Sequence, residues 1–160
     1  VLVHDAARPC ITHQDIDQLI AQCIANNCGG ILAAPVVDTM KLAVNVKEHQ
    51  SSLDSLEQTN DLNTVSVDKT IDRSLLWHAF TPQMFKIKEL TTAIENAQSL
   101  QLSITDEASA IESLGLPCLL VSGRRDNIKI TRPEDLMLAS FYLQQQSQSA
   151  QVQDKGKICE

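Results

Sequence analysis

The chain has 160 residues, with 13 Lys or Arg against 20 Asp or Glu, and its formal net charge is −7. The length suits one ordinary domain with a hydrophobic core, and an apolar content of 43% favours a globular chain over a disordered one. The acidic balance argues against a nucleic-acid or phospholipid binder, since both need a basic face. No apolar run reaches the roughly 18 residues of a membrane span and no signal peptide opens the chain, so we expect a cytoplasmic protein with no membrane partner.

The cysteines and glycines argue against two common kinds of site. The five cysteines are widely spaced, without a C-x-x-C pair, and the four histidines form no H-x-x-x-H pair. We therefore expect no metal-ligating residues, and reduced thiols that pack as small hydrophobic groups. The five glycines build neither a P-loop nor a dinucleotide-binding motif, so any loop that cradles nucleotide phosphates must lie outside these residues.

The first part of the chain predicts a strand, a helix and a second strand. Residues 1–3 form a short apolar strand that stops before Pro9, and Thr12 caps a helix with one apolar face. Residues 26–30 end that helix, with glycines available for a left-handed cap. Residues 31–37 form the second strand. Both strands are apolar on both faces, which predicts a parallel sheet covered by helices and a right-handed crossover.

The next part predicts an antiparallel hairpin. Apolar and polar residues alternate over residues 41–47 and again over residues 65–72, which is typical of half-exposed strands. Between them, residues 49–63 are polar and lack Gly and Pro, which indicates a long, mobile tip. A two-stranded ribbon is marginally stable in water. We therefore expect the hairpin to need a partner, most simply a second copy of the chain.

The last part predicts helices and short strands in alternation. Thr81 and Pro82 have the residue types of an N-cap and a first helical position, and residues 105–107 open a shorter helix that ends near Gly115. Residues 118–121 and 127–130 are predicted strands. The last helix starts with a capping box at residues 131–134, and its residues after Gln144 are polar and expected to fray.

Polar and cationic side chains follow the predicted strands. In open parallel sheets ligands bind beyond the carboxyl ends of the strands. That rule selects Asp5 and Arg8, then Asp38, Thr39 and Lys41, and finally residues 123–129. The expected helix N-termini at Thr81 and Thr105 favour anions, and the cations that can meet phosphate are Arg8, Arg73, Arg124, Arg125, Lys129 and Arg132. Each residue taken singly has an ordinary structural explanation, but together they suggest a phosphate-bearing small molecule.

Several segments, in order, carry a family resemblance. They are residues 4–9 (HDAARP), 34–41 (APVVDTMK), 71–73 (IDR), 77–83 (WHAFTPQ), 105–109 (TDEAS), and 123–135 (GRRDNIKITRPED). Together they resemble the 2-C-methyl-D-erythritol 4-phosphate cytidylyltransferases over residues 1–143, leaving residues 144–160 as a polar tail. The resemblance implies an α/β fold with a Rossmann-like, mostly parallel sheet. It also implies a projecting antiparallel β-hairpin, about residues 38–73, that serves as a dimerisation arm.

The resemblance also implies a reaction and roles for individual residues. CMP passes from CTP to 2-C-methyl-D-erythritol 4-phosphate with release of pyrophosphate, aided by Mg²⁺ bound mainly through the CTP phosphates. Asp5 should hold hydroxyls of the substrate and of the nucleotide ribose, and Arg8 and Thr39 should contact the methylerythritol part. Thr105 and Lys129 should bind its phosphate. In a homodimer, Arg73 and Thr81 should serve the neighbouring subunit's site. The resemblance implies that Arg73 and Lys129 are the catalytic residues.

Two departures from the family pattern leave alternatives open. The hairpin loop over residues 48–63 looks longer than usual, and the family's amino-terminal glycine-rich loop and cytosine-reading residues do not occur in this sequence. The start at the apolar Val1 therefore suggests an amino-terminally truncated chain, which we expect to be inactive alone. One alternative is another polyol-phosphate cytidylyltransferase, such as one acting on ribitol 5-phosphate. Another is a non-catalytic remnant that dimerises, and a fusion partner beyond Glu160 is permitted but not indicated.

Overall fold

The computed structural model describes residues 1–44 and 65–156, and the chain divides into two compact units. The first unit combines Val1–Ala34 with His78–Glu160, and the second is Pro35–Trp77. In chain order the elements are β1 (Leu2–Val3), α1 (His13–Ala25), β2 (Gly29–Pro35), β3 (Met40–Ala43), β4 (Val67–Ile71), β5 (Trp77–Met84), α2 (Ile87–Ser99), α3 (Glu107–Ser113), β6 (Cys118–Ser122) and α4 (Pro133–Gly156). None of these helices is long and apolar enough to cross a membrane.

The main sheet is mixed rather than mostly parallel. Its strand order is β1-β5-β2-β6, so β5 lies between the two strands that the sequence predicts first. Leu2 pairs with Met84 in an antiparallel ladder, whereas β2 and β6 are parallel, with Gly29 opposite Cys118. The α/β class is thus confirmed, and the antiparallel β1–β5 pairing is the departure from the expected sheet.

The prediction that Thr81 and Pro82 start a helix is wrong, since both residues lie inside β5. The helix starts six residues later, at Ile87, with Lys86 as its N-cap. Proline lacks an N–H, so a strand accepts it only where no ladder bond is needed from that position. The carbonyl oxygen of Thr81 is satisfied from outside the ladder, because the side-chain amide of Asn127 donates to it at 2.8 Å. The peptide bond between Thr81 and Pro82 is cis.

Helix α1 begins as predicted and ends differently. The hydroxyl of Thr12 accepts a hydrogen bond from the backbone N–H of Asp15 at 3.2 Å, which confirms Thr12 as the N-cap. At the other end Asn27 takes the left-handed conformation, with φ of 50°. Asparagine tolerates this region because its short polar side chain can bond locally. The glycines expected to form this cap are therefore not needed there.

Gly29 and Gly30 are the first residues of β2. A side chain at either position would collide with neighbouring atoms, whereas the backbone conformation there does not require glycine. A Cβ added at Gly29 would lie 2.1 Å from Cδ1 of Phe85, and one at Gly30 would lie 3.0 Å from Sγ of Cys23. Glycine in a strand often marks such a close approach of other groups to the backbone. These two positions let Phe85 and Cys23 pack directly on the strand.

Three further boundaries differ from prediction. Residues 127–130 form no strand; the N–H of Ile130 donates to the carbonyl of Ala7 at 2.8 Å. A single such bond fixes a loop without extending a sheet.

Helix α4 is capped by Asp135, whose carboxylate accepts from the N–H groups of Thr131 and Arg132, each at 2.9 Å. It continues past Gln144 to Gly156.

The core consists of two clusters that lie on opposite faces of the sheet. Ile31 and Leu32 are successive residues of β2, so their side chains point to opposite sides. Ile31 packs with Phe85, which directly follows β5, and with buried residues of α2 and α3, namely Leu90, Ala93, Ala108, Ala110 and Ile111. Leu32 packs with Leu19 and Cys23 of α1 and with Val121. The sheet is thereby covered by helices on both faces, as expected for an α/β fold.

The second unit contains the predicted hairpin. Strand β3 pairs antiparallel with β4, Met40 opposite Ile71, with an irregularity between Leu42 and Ala43. Lys41 donates to the hydroxyl of Thr70 across the pair at 2.6 Å. The predicted mobile tip, residues 49–63, lies outside the described residues.

Candidate functional site

A cavity of about 290 Å³ in the first unit gathers most of the predicted site residues. Its wall contains Asp5 and Arg8 from the loop after β1, Thr81 from β5, Thr105 before α3, and Lys129 from the loop after β6. The remaining lining residues are Val3, Ala79, Phe80, Gln83, Asp106 and Glu107. The cavity therefore brings loops from opposite ends of the chain together at one edge of the sheet.

Asp5 is the central carboxylate of this cavity. Lys129 Nζ lies 2.9 Å from its Oδ2, and Arg8 Nε lies 3.7 Å from the same oxygen. The hydrogen bond from Lys129 holds the pKa of Asp5 below its usual value, and the charges of Lys129 and Arg8 act in the same direction against the effect of burial. Asp5 is thus an ionised acceptor between two cations.

Arg8 is held in place by three groups. Its side chain is only 11% exposed, and Nη1 donates to the carbonyl of Asn127 at 2.8 Å. The guanidinium stands over the ring of Phe80, 5.1 Å from the centroid, which is a cation–π arrangement. Burial lowers the pKa of Arg8, and the neighbouring Asp5 carboxylate opposes that shift. Because arginine remains protonated even so, the cavity keeps a fixed positive charge there.

Gln83 joins the floor of the cavity to the start of α3. Its side chain is buried; Nε2 donates to Asp106 Oδ2 at 2.9 Å, and Oε1 accepts from the N–H of Ala108 at 2.9 Å. Asp106 also caps α3 by accepting from the N–H of Ser109 at 2.9 Å. Burial would raise the pKa of Asp106, but the hydrogen bonds from Gln83 and Ser109 together lower it. The two side chains fix α3 against β5.

The two threonines at the cavity differ from their predicted settings. Thr81 is not at a helix N-terminus; its hydroxyl accepts from the N–H of Asp5 at 3.0 Å and lies 3.0 Å from Nδ1 of His4. Thr105 is exposed and precedes the N-cap, which is Asp106. Its N–H donates to the hydroxyl of Ser109 at 3.0 Å. Thr105 is therefore placed by the capping box of α3 without being part of it.

Thr39 and Arg73 belong to the second unit. Thr39 is exposed and stands directly before β3. Arg73 is exposed in the turn after β4, where Nη1 donates to the carbonyl of Val37. The turn is fixed by Asp72, which accepts from both the N–H and the hydroxyl of Ser74 at 3.0 Å. The backbone hydrogen bond from Ser74 is the main cause that lowers the pKa of Asp72.

Some residues that line the cavity were not singled out from the sequence. Gln83, Asp106 and Phe80 lie within the quoted segments but received no role. A signal for Asp106 exists in the sequence, because Asp followed three residues later by Ser, ahead of an apolar run, fits a capping box. Nothing local marks Gln83 or Phe80, whose partners lie far along the chain. Among the described residues no group of three or more His, Cys, Asp or Glu is arranged to hold a metal ion.

The fold defines the class of protein: an α/β protein with a mixed sheet, of the fold found in a solved cytidylyltransferase structure. The chain belongs to the family described as 2-C-methyl-D-erythritol 4-phosphate cytidylyltransferase (IspD), whose model matches residues 1–145. It is 56% identical over 147 residues to the protein of that name from Colwellia psychrerythraea, covering 92% of this chain and 56% of that protein. It is 54% identical over 144 residues to the protein of that name from Aliivibrio fischeri, covering 90% and 53%.

The solved structures agree with this membership. The crystal structure of the Francisella tularensis protein of that name is 34% identical, with a TM-score of 0.72, over 89% of this chain and 58% of that one. A structure of 4-diphosphocytidyl-2C-methyl-D-erythritol synthase is 38% identical, with a TM-score of 0.67, over 89% and 55%. The chain thus spans little more than half the length of the relatives it matches.

Proposed function

We propose that this chain forms part of an enzyme that transfers CMP from CTP to 2-C-methyl-D-erythritol 4-phosphate. In the transfer a phosphate oxygen of the acceptor bonds to the α-phosphorus of CTP, and pyrophosphate leaves. The observation that carries the proposal is the Asp5 carboxylate between Lys129 and Arg8, in a cavity of about 290 Å³, in a chain that belongs to this family. Such a reaction needs positioned, charge-neutralising groups more than covalent catalysis.

The properties of the side chains suit the proposed roles. Lys129 is 48% exposed, so its ammonium can turn from Asp5 to the phosphate of an acceptor that enters the cavity. The exposed Thr105 adds a hydroxyl for the same phosphate. Asp5 binds hydroxyls of the acceptor and of the nucleotide ribose, because an ionised carboxylate only accepts hydrogen bonds. Arg8 contacts the methylerythritol part.

Magnesium enters the proposal as an ion carried by the CTP phosphates. The cavity carboxylates Asp5 and Asp106 already accept hydrogen bonds from Lys129 and Gln83 respectively. This donor set fits a cation that keeps most of its ligands from phosphate and water, which is usual for Mg²⁺ at nucleotides. When bound, the ion neutralises charge that develops on the phosphates. Glu107 is the remaining cavity carboxylate that could complete its coordination.

We also propose that the hairpin is a dimerisation arm and that the enzyme is cytoplasmic. Several apolar side chains of the second unit are exposed, among them Leu42, Val65, Val67 and Leu75. A two-stranded ribbon with such a surface gains stability by pairing with a second copy. In the dimer, Arg73 serves the neighbouring subunit's site and Thr39 contacts the acceptor. Thr81, expected from the resemblance to act in the same way, instead serves the cavity of its own subunit, because its hydroxyl accepts from the N–H of Asp5 there.

Transfer is best measured in a chimera, because the chain spans about half of its relatives. This chain replaces the matching segment of the Colwellia psychrerythraea relative, and CMP transfer from CTP is followed with each acceptor separately. We expect activity with 2-C-methyl-D-erythritol 4-phosphate and little with ribitol 5-phosphate. Lys129→Ala should reduce kcat/KM by about a hundredfold, whereas the exposed Lys88→Ala on α2 should not. Preference for ribitol 5-phosphate, or an unaffected Lys129→Ala chimera, would contradict the proposal.

The arm is tested by mixing two inactive chimeras. If Arg73 completes the neighbour's site, subunits carrying Arg73→Ala and subunits carrying Lys129→Ala should restore part of the activity when they form mixed dimers. Each variant alone should keep no more than about a hundredth of the unchanged activity, and sedimentation should give the mass of a dimer for all three samples. Dimers that regain no activity on mixing would refute the shared site.

A further inference from the structure

The turn that ends α1 carries two cysteines, one at each end of its longest backbone hydrogen bond. Its hydrogen bonds are those of a Schellman motif: the N–H of Cys28 donates to the carbonyl of Cys23 at 3.2 Å, and the N–H of Asn27 donates to that of Ile24 at 3.1 Å. Asn27 supplies the left-handed residue. In this motif the side chains at the two ends of the longer bond commonly touch. Those ends are Cys23 and Cys28, so the motif favours contact between these two side chains.

Both thiols also border one cavity. A space of about 350 Å³, lined among others by Met84 and Phe85, has Cys23 and Cys28 in its wall, separate from the cavity around Asp5. Both are free thiols. Cys23 is only 4% exposed, and burial raises the pKa of its thiol, with the nearby Cys28 adding to the shift. Cys28 is more exposed than Cys23, so a reagent in solution should react with Cys28 first.

We propose that Cys23 and Cys28 are a thiol–disulfide site, which a low-molecular-weight disulfide oxidises to an intramolecular bond. The thiolate of Cys28 attacks one sulfur of the reagent, which releases one thiol and leaves a mixed disulfide on Cys28. Cys23 loses its proton and attacks Sγ of Cys28, which releases the second thiol. Two protein thiols are oxidised, one reagent disulfide is reduced to two thiols, and no further oxidant is needed.

The other described cysteines are poorer partners. Burial is the main cause that raises the pKa of Cys118 to about 12, so little of it is thiolate near neutral pH. Cys10 is fully buried in the loop before α1, outside the turn that contains Cys23 and Cys28. The thiol of Cys28 donates to the carbonyl of the adjacent Gly29 at 3.4 Å. A bond between Cys23 and Cys28 would fasten the end of α1 to the start of β2, where Gly30 already packs on the Cys23 sulfur.

The equilibrium between the protein and glutathione tests this site directly. The chain with Cys10, Cys118 and Cys159 each changed to Ser is equilibrated with mixtures of reduced and oxidised glutathione, quenched with acid, and analysed by intact mass. We expect the loss of two hydrogen atoms, and an oxidation constant at least about tenfold larger when folded than in guanidinium chloride, because the motif holds the thiols together. Cys23→Ser should instead stop at a glutathione adduct on Cys28.

Two results would overturn the proposal. One is an oxidation constant in the folded protein equal to or below that of the unfolded chain. The other is found by peptide mapping of the chain with all five cysteines: a bond that joins Cys23 or Cys28 to Cys118 instead. Neither readout depends on cytidylyl transfer, so this proposal and the proposed function are tested independently.

Discussion

Replacing Gln83 by leucine tests whether the side chain between β5 and α3 is held by its two hydrogen bonds or by its shape. Leucine fills much of the same volume but offers neither a donor nor an acceptor. The N–H of Ala108 would lose its partner at 2.9 Å, and the Asp106 carboxylate would lose a donor at 2.9 Å. Because Gln83 and Ala108 are both buried, water cannot replace the lost bond to the Ala108 N–H.

The expected loss follows from these contacts. An unsatisfied buried N–H costs about 1–3 kcal/mol, and a lost bond to a charged group about 1.5–3 kcal/mol. Burial of a leucine side chain returns about 1.5–3 kcal/mol. We therefore expect Gln83→Leu to lower the free energy of unfolding by about 1–3 kcal/mol, measured by urea denaturation followed by circular dichroism.

Gln83→Glu is the matched variant, since it keeps the shape and the acceptor for the Ala108 N–H. Its second oxygen would face Asp106 at the distance of the present hydrogen bond, 2.9 Å, so the two carboxylates must share a proton. The folded pair then has a raised pKa, and its stability is lost as the pH rises through that value. In the unchanged protein the pKa of Asp106 is lowered, so its contribution is instead lost as the pH falls.

The pH dependence of the free energy of unfolding distinguishes the two Gln83 variants. Between about pH 5 and about pH 8, Gln83→Glu should become less stable relative to the unchanged protein, and Gln83→Leu should keep a constant deficit. A Gln83→Leu protein within about 0.5 kcal/mol of the unchanged one would mean that the bonds contribute nothing net. A Gln83→Glu protein without the pH slope would mean that the two side chains are not in contact.

Two other substitutions probe the packing and the cavity. Gly29→Ala puts a Cβ 2.1 Å from the buried Phe85 ring and should lower the free energy of unfolding by about 3 kcal/mol. Gly115→Ala places its Cβ in open space, and only the φ of 68° opposes it, so it should lower that free energy by about 1 kcal/mol. Equal losses in urea denaturation would contradict the close approach at Gly29. Lys129→Met removes the main cause that lowers the pKa of Asp5, so a carbon-13 titration should find that pKa moved up toward 3.8, and an unmoved value would place Lys129 elsewhere.

Elements that depend on residues a few positions apart were predictable. The cap at Thr12 involves Asp15, only three residues away, and the alternation over β3 and β4 follows from the two-residue period of a strand. Asp5 and Arg8, three residues apart where a strand ends, form an ion pair with each other, with Arg8 Nε 3.7 Å from Asp5 Oδ2. For these features the sequence contains both partners of the interaction within a short window.

Features that depend on distant partners were not predictable. Thr81 and Pro82 have the residue types of a helix start, yet they lie in a strand whose carbonyl at Thr81 is satisfied by Asn127, 46 residues away. Gln83 gains its role from Asp106, 23 residues away. The strand predicted near Ile130 makes a loop contact with Ala7 instead. In each case tertiary hydrogen bonds outweigh a local preference, because local preferences amount to about 1 kcal/mol or less per residue.

The antiparallel pairing of β1 with β5 also has a consequence for folding during synthesis. The backbone groups of Val1 and Phe85 that bond to each other are 84 residues apart, and β5 stands between β1 and β2 in the sheet. At a synthesis rate of about 5–20 residues per second, β1 waits on the order of ten seconds for its neighbour. Meanwhile the hairpin of the second unit, whose contacts are local, can form. The main sheet therefore closes late: β1 waits for β5, and β2 waits 89 residues, from Gly29 to Cys118, for β6. Both strands depend meanwhile on protection from wrong pairing.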